Sequence, residues 1–209
     1  VEYTKSLNKI LEKTDLEVLK AYLACNYVNG AASYLSSAFV DANFHFYGRV
    51  LSGREEQRPR WKRVVGTVDE SLGEAVGQMY VEKYFPAEAK ERMLKLVSNL
   101  QAALRERIAQ NTWMTDSTKQ KSYEKLDAFI VKVGYPDKWR DYSNLQIEKD
   151  SYFANIQRAS RFETAYQMSK IGKAVDPTEW LMTPQTVNAY YNPTTNEICF
   201  PAGILDRKS

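Results

Sequence analysis

The sequence is poor in the residues that build most metal and disulfide sites. Among 209 residues there is one histidine, His45, and there are two cysteines, Cys25 and Cys199. A zinc site of the H-E-x-x-H type needs two histidines on one helical face, and a Cys/His cluster needs more ligands than three distant side chains supply. The chain is therefore not expected to hold catalytic zinc. Two cysteines do not make a disulfide framework. No apolar run approaches the ~18 residues of a membrane span. The opening Val1-Glu2-Tyr3-Thr4-Lys5 has no signal-peptide pattern, so either none is needed or it has been removed. Charge of one sign is also lacking: 29 Lys and Arg face 26 Asp and Glu, a net +3. That is too little to argue for a nucleic-acid or anionic-membrane partner. Loop material is scarce, with 9 Gly and 7 Pro, and neither repeats nor low-complexity stretches occur.

What is present reads as a globular chain, 44% hydrophobic, 26% charged and rich in tyrosine (14 residues). That is one large domain or two small ones. Residues 4–13 form a short helix. Thr14-Asp15 caps the next, and Leu16, Leu19, Leu23, Tyr27, Ala31, Tyr34, Leu35 and Phe39 continue at helical spacing to about Val50. Gly30 within it marks an expected close helix crossing. A second long helix is expected from about Glu55 to Phe85 with Pro59 in its first turn, and a third begins at Pro86. A fourth, capped by Thr115 or Asp116, places Leu126, Phe129, Ile130 and Val133 on one face and ends at Gly134-Tyr135-Pro136-Asp137. A fifth runs from about Ser151 to Lys173. Residues 186–191 and 197–200 are then β-prone, with turn residues between them. The expected fold is mainly α, a long-helix assembly with a small C-terminal β-hairpin, divided as residues 1–180 and 181–209. The apolar Phe200–Leu205 run near the end reads as an exposed edge awaiting a partner element.

Several features could carry chemistry, each beside a plainer reading. Arg54, Arg58, Arg60, Lys62 and Arg63 surround Trp61. This could contact phosphate or nucleic acid, but a solvated helix start explains it more simply. His45, among Phe44, Phe46 and Tyr47, reads as structural rather than as a base. Cys199 reads as a small buried hydrophobe, and a Cys199–His45 dyad has no flanking signature. Glu55/Glu56, Asp69/Glu70, Asp137/Asp141 and Glu148/Asp150 have no spacing that singles out an acid–base pair. Gly66, Gly73 and Gly77, at helical spacing, suit tight packing. The segment Val187-Asn188-Ala189-Tyr190-Tyr191 has two readings. It is a structural hairpin, or an edge strand that captures an extended peptide by main-chain hydrogen bonds with an Asn amide as clamp.

At this segment the chain resembles a known family. Val187-Asn188-Ala189-Tyr190-Tyr191, followed by Asn196-Glu197-Ile198-Cys199-Phe200-Pro201-Ala202-Gly203-Ile204-Leu205, is similar to the strand-and-turn motif of the neprilysin and endothelin-converting-enzyme zinc endopeptidases. Pro59-Arg60-Trp61-Lys62-Arg63, Ala75-Val76-Gly77, Tyr80-Val81, Trp113-Met114, Thr118-Lys119, Lys125, Gly134-Tyr135-Pro136-Asp137, Val175-Asp176-Pro177 and Trp180 agree in the same order. The resemblance implies the helical cap and the start of the thermolysin-like domain of an endopeptidase for small peptides. It implies that Asn188 and Ala189 hold the substrate backbone. Zinc would belong to the full-length parent, with its ligands beyond Ser209 and none in this chain. The implied partners are a peptide and a C-terminal catalytic region packing near Phe200, Ile204 and Leu205, with no nucleic acid and no membrane segment in this chain. The implied location is extracytoplasmic, in a bacterial periplasm or at a cell surface. Asp206-Arg207-Lys208-Ser209 departs from the family pattern, as do Val64 and Val65 where animal members place a cysteine. The alternative is a helical binding or scaffold module that keeps the fold without catalysis.

Overall fold

A computed structural model describes residues 1–205. The elements are α1 (Glu2–Lys13), α2 (Leu16–Ala31), a 3-10 turn (Ala32–Tyr34), α3 (Ser37–Asn43), a π-helical segment (Phe44–Val50), α4 (Arg60–Tyr84), α5 (Ala87–Gln110), α6 (Asp116–Asp127), β1 (Ile130–Gly134), α7 (Tyr152–Met168), β2 (Tyr190–Asn192), β3 (Glu197–Pro201) and α8 (Ala202–Leu205). The mainly helical class with a small C-terminal hairpin is the fold observed. The chain divides into two compact units, residues 1–63 with 146–160, and residues 64–145 with 161–209.

In the first unit the Asp15 side chain accepts the Glu17 N–H at 2.8 Å, capping α2 where the sequence places a cap. The single helix expected to run to Val50 is interrupted. After the 3-10 turn, Leu35 is extended (φ −94°, ψ −165°), and Ser36 takes the extended conformation of an N-cap before α3. Serine is a favoured residue type at an N-cap, although the Ser36 side chain makes no capping hydrogen bond. The π-helical segment packs the Phe44 ring against Gly48, where a Cβ would lie 2.4 Å from it. Gly30 is not at a close crossing among the described residues, none of which lies within 4 Å of where its Cβ would be. The unit is held by rings and polar ties between α2 and α7. Tyr27 meets Phe153 edge-on at 6.3 Å, and the Tyr27 hydroxyl accepts from Gln157 Nε2 at 2.6 Å.

α4 starts at Arg60 rather than at Glu55. Pro59 excludes the helical conformation from the residue before it, so the helix begins after the proline and not around it. The α4 backbone kinks at Leu72 (φ −132°, ψ 27°), and the Glu74 N–H nearby donates to the Tyr142 hydroxyl at 3.3 Å. α5 begins after Pro86 as expected, and the Thr115 side chain caps α6.

The largest departure from expectation follows. α6 ends at Asp127, and residues 130–134, expected to extend it, are β1. Leu126, Phe129, Ile130 and Val133 fall at helical spacing by coincidence. Ile130-Val131-Lys132-Val133 is rich in β-branched side chains, which suit a strand. β1 pairs in parallel with β3, Ile130 opposite Glu197 through Gly134 opposite Pro201. β2 pairs antiparallel with β3, Tyr190 opposite Cys199 and Asn192 opposite Glu197. The sheet order is β1-β3-β2, so β2 lies at an edge.

Gly134 ends β1 with φ +78°, and a Cβ there would sit 2.5 Å from Phe85 Cε1. Gly134→Ala is therefore expected to lower the unfolding free energy by about 2 kcal/mol or more, from φ strain and overpacking together. Gly30→Ala, in an exposed and open helical position, should raise it by about 0.5–1 kcal/mol. Urea titrations of the two variants check both signs.

Candidate functional site

One face of the small sheet carries polar side chains where an apolar layer would be ordinary. Lys132 on β1 and Glu197 on β3 are 6% and 2% exposed. Lys132 Nζ donates to Glu197 Oε2 at 2.7 Å and to the Glu179 carbonyl at 2.5 Å. The other Glu197 oxygen accepts from the Tyr190 hydroxyl at 2.8 Å, and that hydroxyl in turn accepts the Leu181 N–H at 3.3 Å. Burial by itself pushes the Glu197 carboxyl up. The Lys132 ammonium and the Tyr190 hydroxyl outweigh it and hold the group below its ordinary pKa. Burial raises the Tyr190 phenol well above its ordinary pKa, and the neighbouring carboxylate adds to the shift, so it stays a donor.

This network backs the segment that carries Asn188 and Ala189. Residues 183–186 are seated on α4 and α8 by three glycines. A Cβ on Gly73 would lie 2.4 Å from Thr183 Cγ2, one on Gly77 would lie 2.8 Å from Pro184 Cδ, and one on Gly203 would lie 2.6 Å from the Gln185 carbonyl oxygen. Gln185 Nε2 donates to the Gly73 carbonyl at 2.9 Å and also to Asp69. The Gly203 N–H donates to the Pro184 carbonyl at 2.7 Å. Tight packing thus accounts for Gly73 and Gly77 as expected, whereas Gly66 has nothing within 4 Å. From this seat the chain runs out to Val187, Asn188 and Ala189 before β2 begins. Asn188 is exposed and Ala189 half-buried. The Ala189 N–H donates to Asn188 Oδ1 at 2.8 Å.

The remaining sequence candidates fall differently. Cys199 is fully buried, and burial pushes its thiol up to about 12, the opposite of an activated nucleophile. His45 is exposed on the π-helical segment rather than packed as a core residue. Trp61 is 64% exposed with Lys62 Nζ 5.4 Å from its ring, and Arg54 stacks on Phe44. The Phe200–Leu205 run is not an exposed edge. Cys199 and Ala202 have no exposure and Pro201 is fully buried, while Phe200, Ile204 and Leu205 are half-buried. The run is drawn inward because it is the central strand of the sheet and the turn behind it. The predicted departure at Asp206-Arg207-Lys208-Ser209 lies outside the described residues. Among the described residues no three His, Cys, Asp or Glu side chains gather as metal ligands. No described helix is long and apolar enough to cross a membrane.

Lys132, Tyr190 and Glu197 were not singled out as site residues from sequence. The available signal was a lysine alternating with β-branched residues at 130–133 and a glutamate opening an apolar strand.

The comparisons with known proteins agree with this architecture. Endothelin-converting enzyme 1 of Homo sapiens is 32% identical over 211 residues, covering 98% of this chain and 27% of the relative. The zinc metalloprotease ZMP1 of Mycobacterium tuberculosis, solved in complex with inhibitor, superposes with a TM-score of 0.87 at 43% identity, over 97% of this chain and 30% of that one. PepO from Lactobacillus rhamnosis HN001 gives 0.78 at 34% identity, over 84% of this chain and 28% of that one. The fold is that of the helical region of zinc metalloproteases. Residues 1–136 match the model of Peptidase family M13, and the chain belongs to that family. It spans less than a third of the length of these relatives.

Removing one member of the buried pair strands the other charge. Lys132→Met is expected to cost about 3–5 kcal/mol of unfolding free energy, and Lys132→Met with Glu197→Met to recover most of that loss. Because the folded-state pKa of Glu197 is depressed, its contribution is complete above the ordinary value of about 4.3. It is lost as pH falls through the lower folded value. Urea midpoints measured from neutral pH into acid should show that decline in the native chain, with a smaller slope in the double variant.

Proposed function

We propose that this chain is the N-terminal part of a zinc-dependent endopeptidase that cleaves small peptides. It supplies chamber wall and a clamp for the peptide backbone, and the zinc ligands belong to the rest of the parent. The reading includes residues 1–180 as the helical cap, residues 181–209 as the hairpin and the start of the catalytic domain, and an extracytoplasmic location.

The observation that carries the clamp is the placement of Asn188-Ala189 immediately before β2, at the edge of the sheet. An edge strand presents unpaired backbone groups, and an extended peptide can add to it as a further strand. The Ala189 N–H is already taken by Asn188 Oδ1. The groups offered to a peptide are then the Asn188 amide nitrogen as donor and the Ala189 carbonyl as acceptor. Such contacts orient the peptide and do not move protons.

The surface supports a larger parent. The chain exposes 15516 Å². Two separate compact bodies of the sizes of its units would expose about 12,000 Å² together. The excess includes apolar side chains on helical faces, among them Tyr3, Ile10, Tyr22, Leu23 and Leu100. A catalytic region packing on such faces and near Phe200, Ile204 and Leu205 would cover them.

The test is to read the codons after Ser209 for H-E-x-x-H, express the parent, and assay zinc-dependent peptide cleavage. The parent should cleave and the present chain alone should not. Asn188→Ala in the parent should lower kcat/KM about 10- to 100-fold, the size of one or two lost hydrogen bonds. An unchanged kcat/KM would remove Asn188 from the substrate site. A stop codon at once after Ser209 would turn the reading to the non-catalytic binding module.

A further inference from the structure

We propose that Glu197 is a positioning residue for the peptide-clamping segment: by holding the Tyr190 hydroxyl it fixes the loop in which Asn188 and Ala189 face a peptide. The inference rests on the edge-binding reading above.

The geometry is a closed ring of hydrogen bonds around the base of one loop. The loop leaves the Glu179–Leu181 stretch, is seated on α4 and α8 at residues 183–186, passes Asn188, and enters the sheet at Tyr190. Both of its ends meet the same network. At the start, the Glu179 carbonyl accepts from Lys132 Nζ at 2.5 Å, and the Leu181 N–H donates to the Tyr190 hydroxyl at 3.3 Å. At the end, that hydroxyl donates to Glu197 Oε1 at 2.8 Å. Lys132 Nζ closes the ring on Glu197 Oε2 at 2.7 Å. Glu197 is the member that joins the two halves, one oxygen to each.

Strand pairing alone is a weak anchor here. β2 has three residues, and among the described residues only β3 flanks it. Short edge strands open locally at low cost. A buried, fully partnered carboxylate is directional in a way that apolar packing is not. It holds Tyr190, two positions from Asn188, in one orientation. Val187, by contrast, is 64% exposed and contributes little restraint.

The experiment uses the 209-residue chain. Tyr190→Phe keeps the ring and deletes the hydroxyl, and Glu197→Met combined with Lys132→Met removes the acceptor from the other side without stranding a buried charge. Amide hydrogen exchange is measured along the chain. Binding of a blocked peptide, acetyl-Ala-Phe-Leu-Ala-amide, is followed by amide chemical shifts. Exchange across residues 181–192 is expected to rise about tenfold in Tyr190→Phe, one net hydrogen bond's worth of opening, while amides of α5 and α6 stay near native. The peptide dissociation constant should rise by a factor no larger than the rise in exchange, because affinity falls only with the fraction of the loop that leaves the bound conformation. Native-like exchange with unchanged peptide binding in the variants overturns the positioning role. A uniform rise across the whole unit also overturns it, since that is a general loss of stability. If the native chain binds no peptide, the edge-binding reading itself fails. If Tyr190→Phe does not fold, the Lys132→Met, Glu197→Met double variant carries the same comparison.

Discussion

Two opposite charges on strands 65 residues apart in the chain have to be buried together or not at all. Lys132 and Glu197 lie on the same face of neighbouring parallel strands, and neither has water to turn to. The pair makes a modest net contribution while both partners are present and a large penalty if either is stranded. It also distinguishes registers. A one-residue slip of β1 against β3 would turn Lys132 to the opposite face and bury Val131 or Val133 among the polar groups instead. The three-strand arrangement, the tyrosine at the edge and the loop that precedes it depend on that single alignment.

The helices contribute a seat. α4 presents Gly73 and Gly77 to Thr183 and Pro184, and α8 presents Gly203 to the Gln185 carbonyl, at separations no Cβ would tolerate. Helix backbone therefore touches loop backbone and ring directly. A loop gripped in this way can carry an exposed Asn188 at a defined height without regular secondary structure of its own. Family membership and the proposed clamp meet here, because strand addition needs an edge that is open but not loose. Many apolar side chains on the helices are exposed, Tyr22, Leu23 and Leu100 among them.

Much of this organisation was legible from residue order. Asp15 and Thr115 cap helices where their types and positions suggest, and Pro86 precedes α5. The turn between Asn192 and Asn196 divides two strands, with Asn196 at φ 54°. The motif around Asn188 points to the family by residue order alone. Errors arose where one pattern had two meanings. Leu126, Phe129, Ile130 and Val133 satisfy a helical period, yet the last two belong to a strand whose partner is β3. The apolar Phe200–Leu205 run resembles an exposed edge because its cover, β1 on one side and the 183–186 seat on the other, is far away in sequence.

The sequence by itself determined the helical class, most helix starts and the family, since caps, prolines, apolar period and short motifs act over a few residues and need no distant partner. Tertiary structure alone decided that residues 130–134 are a strand, that Lys132 and Glu197 are buried partners, and that Tyr190 ties the Asn188 loop at both ends. Each of these depends on which segments meet. A β-strand gains its hydrogen bonds only from a neighbour, and a buried charge is tolerated only beside its counter-charge.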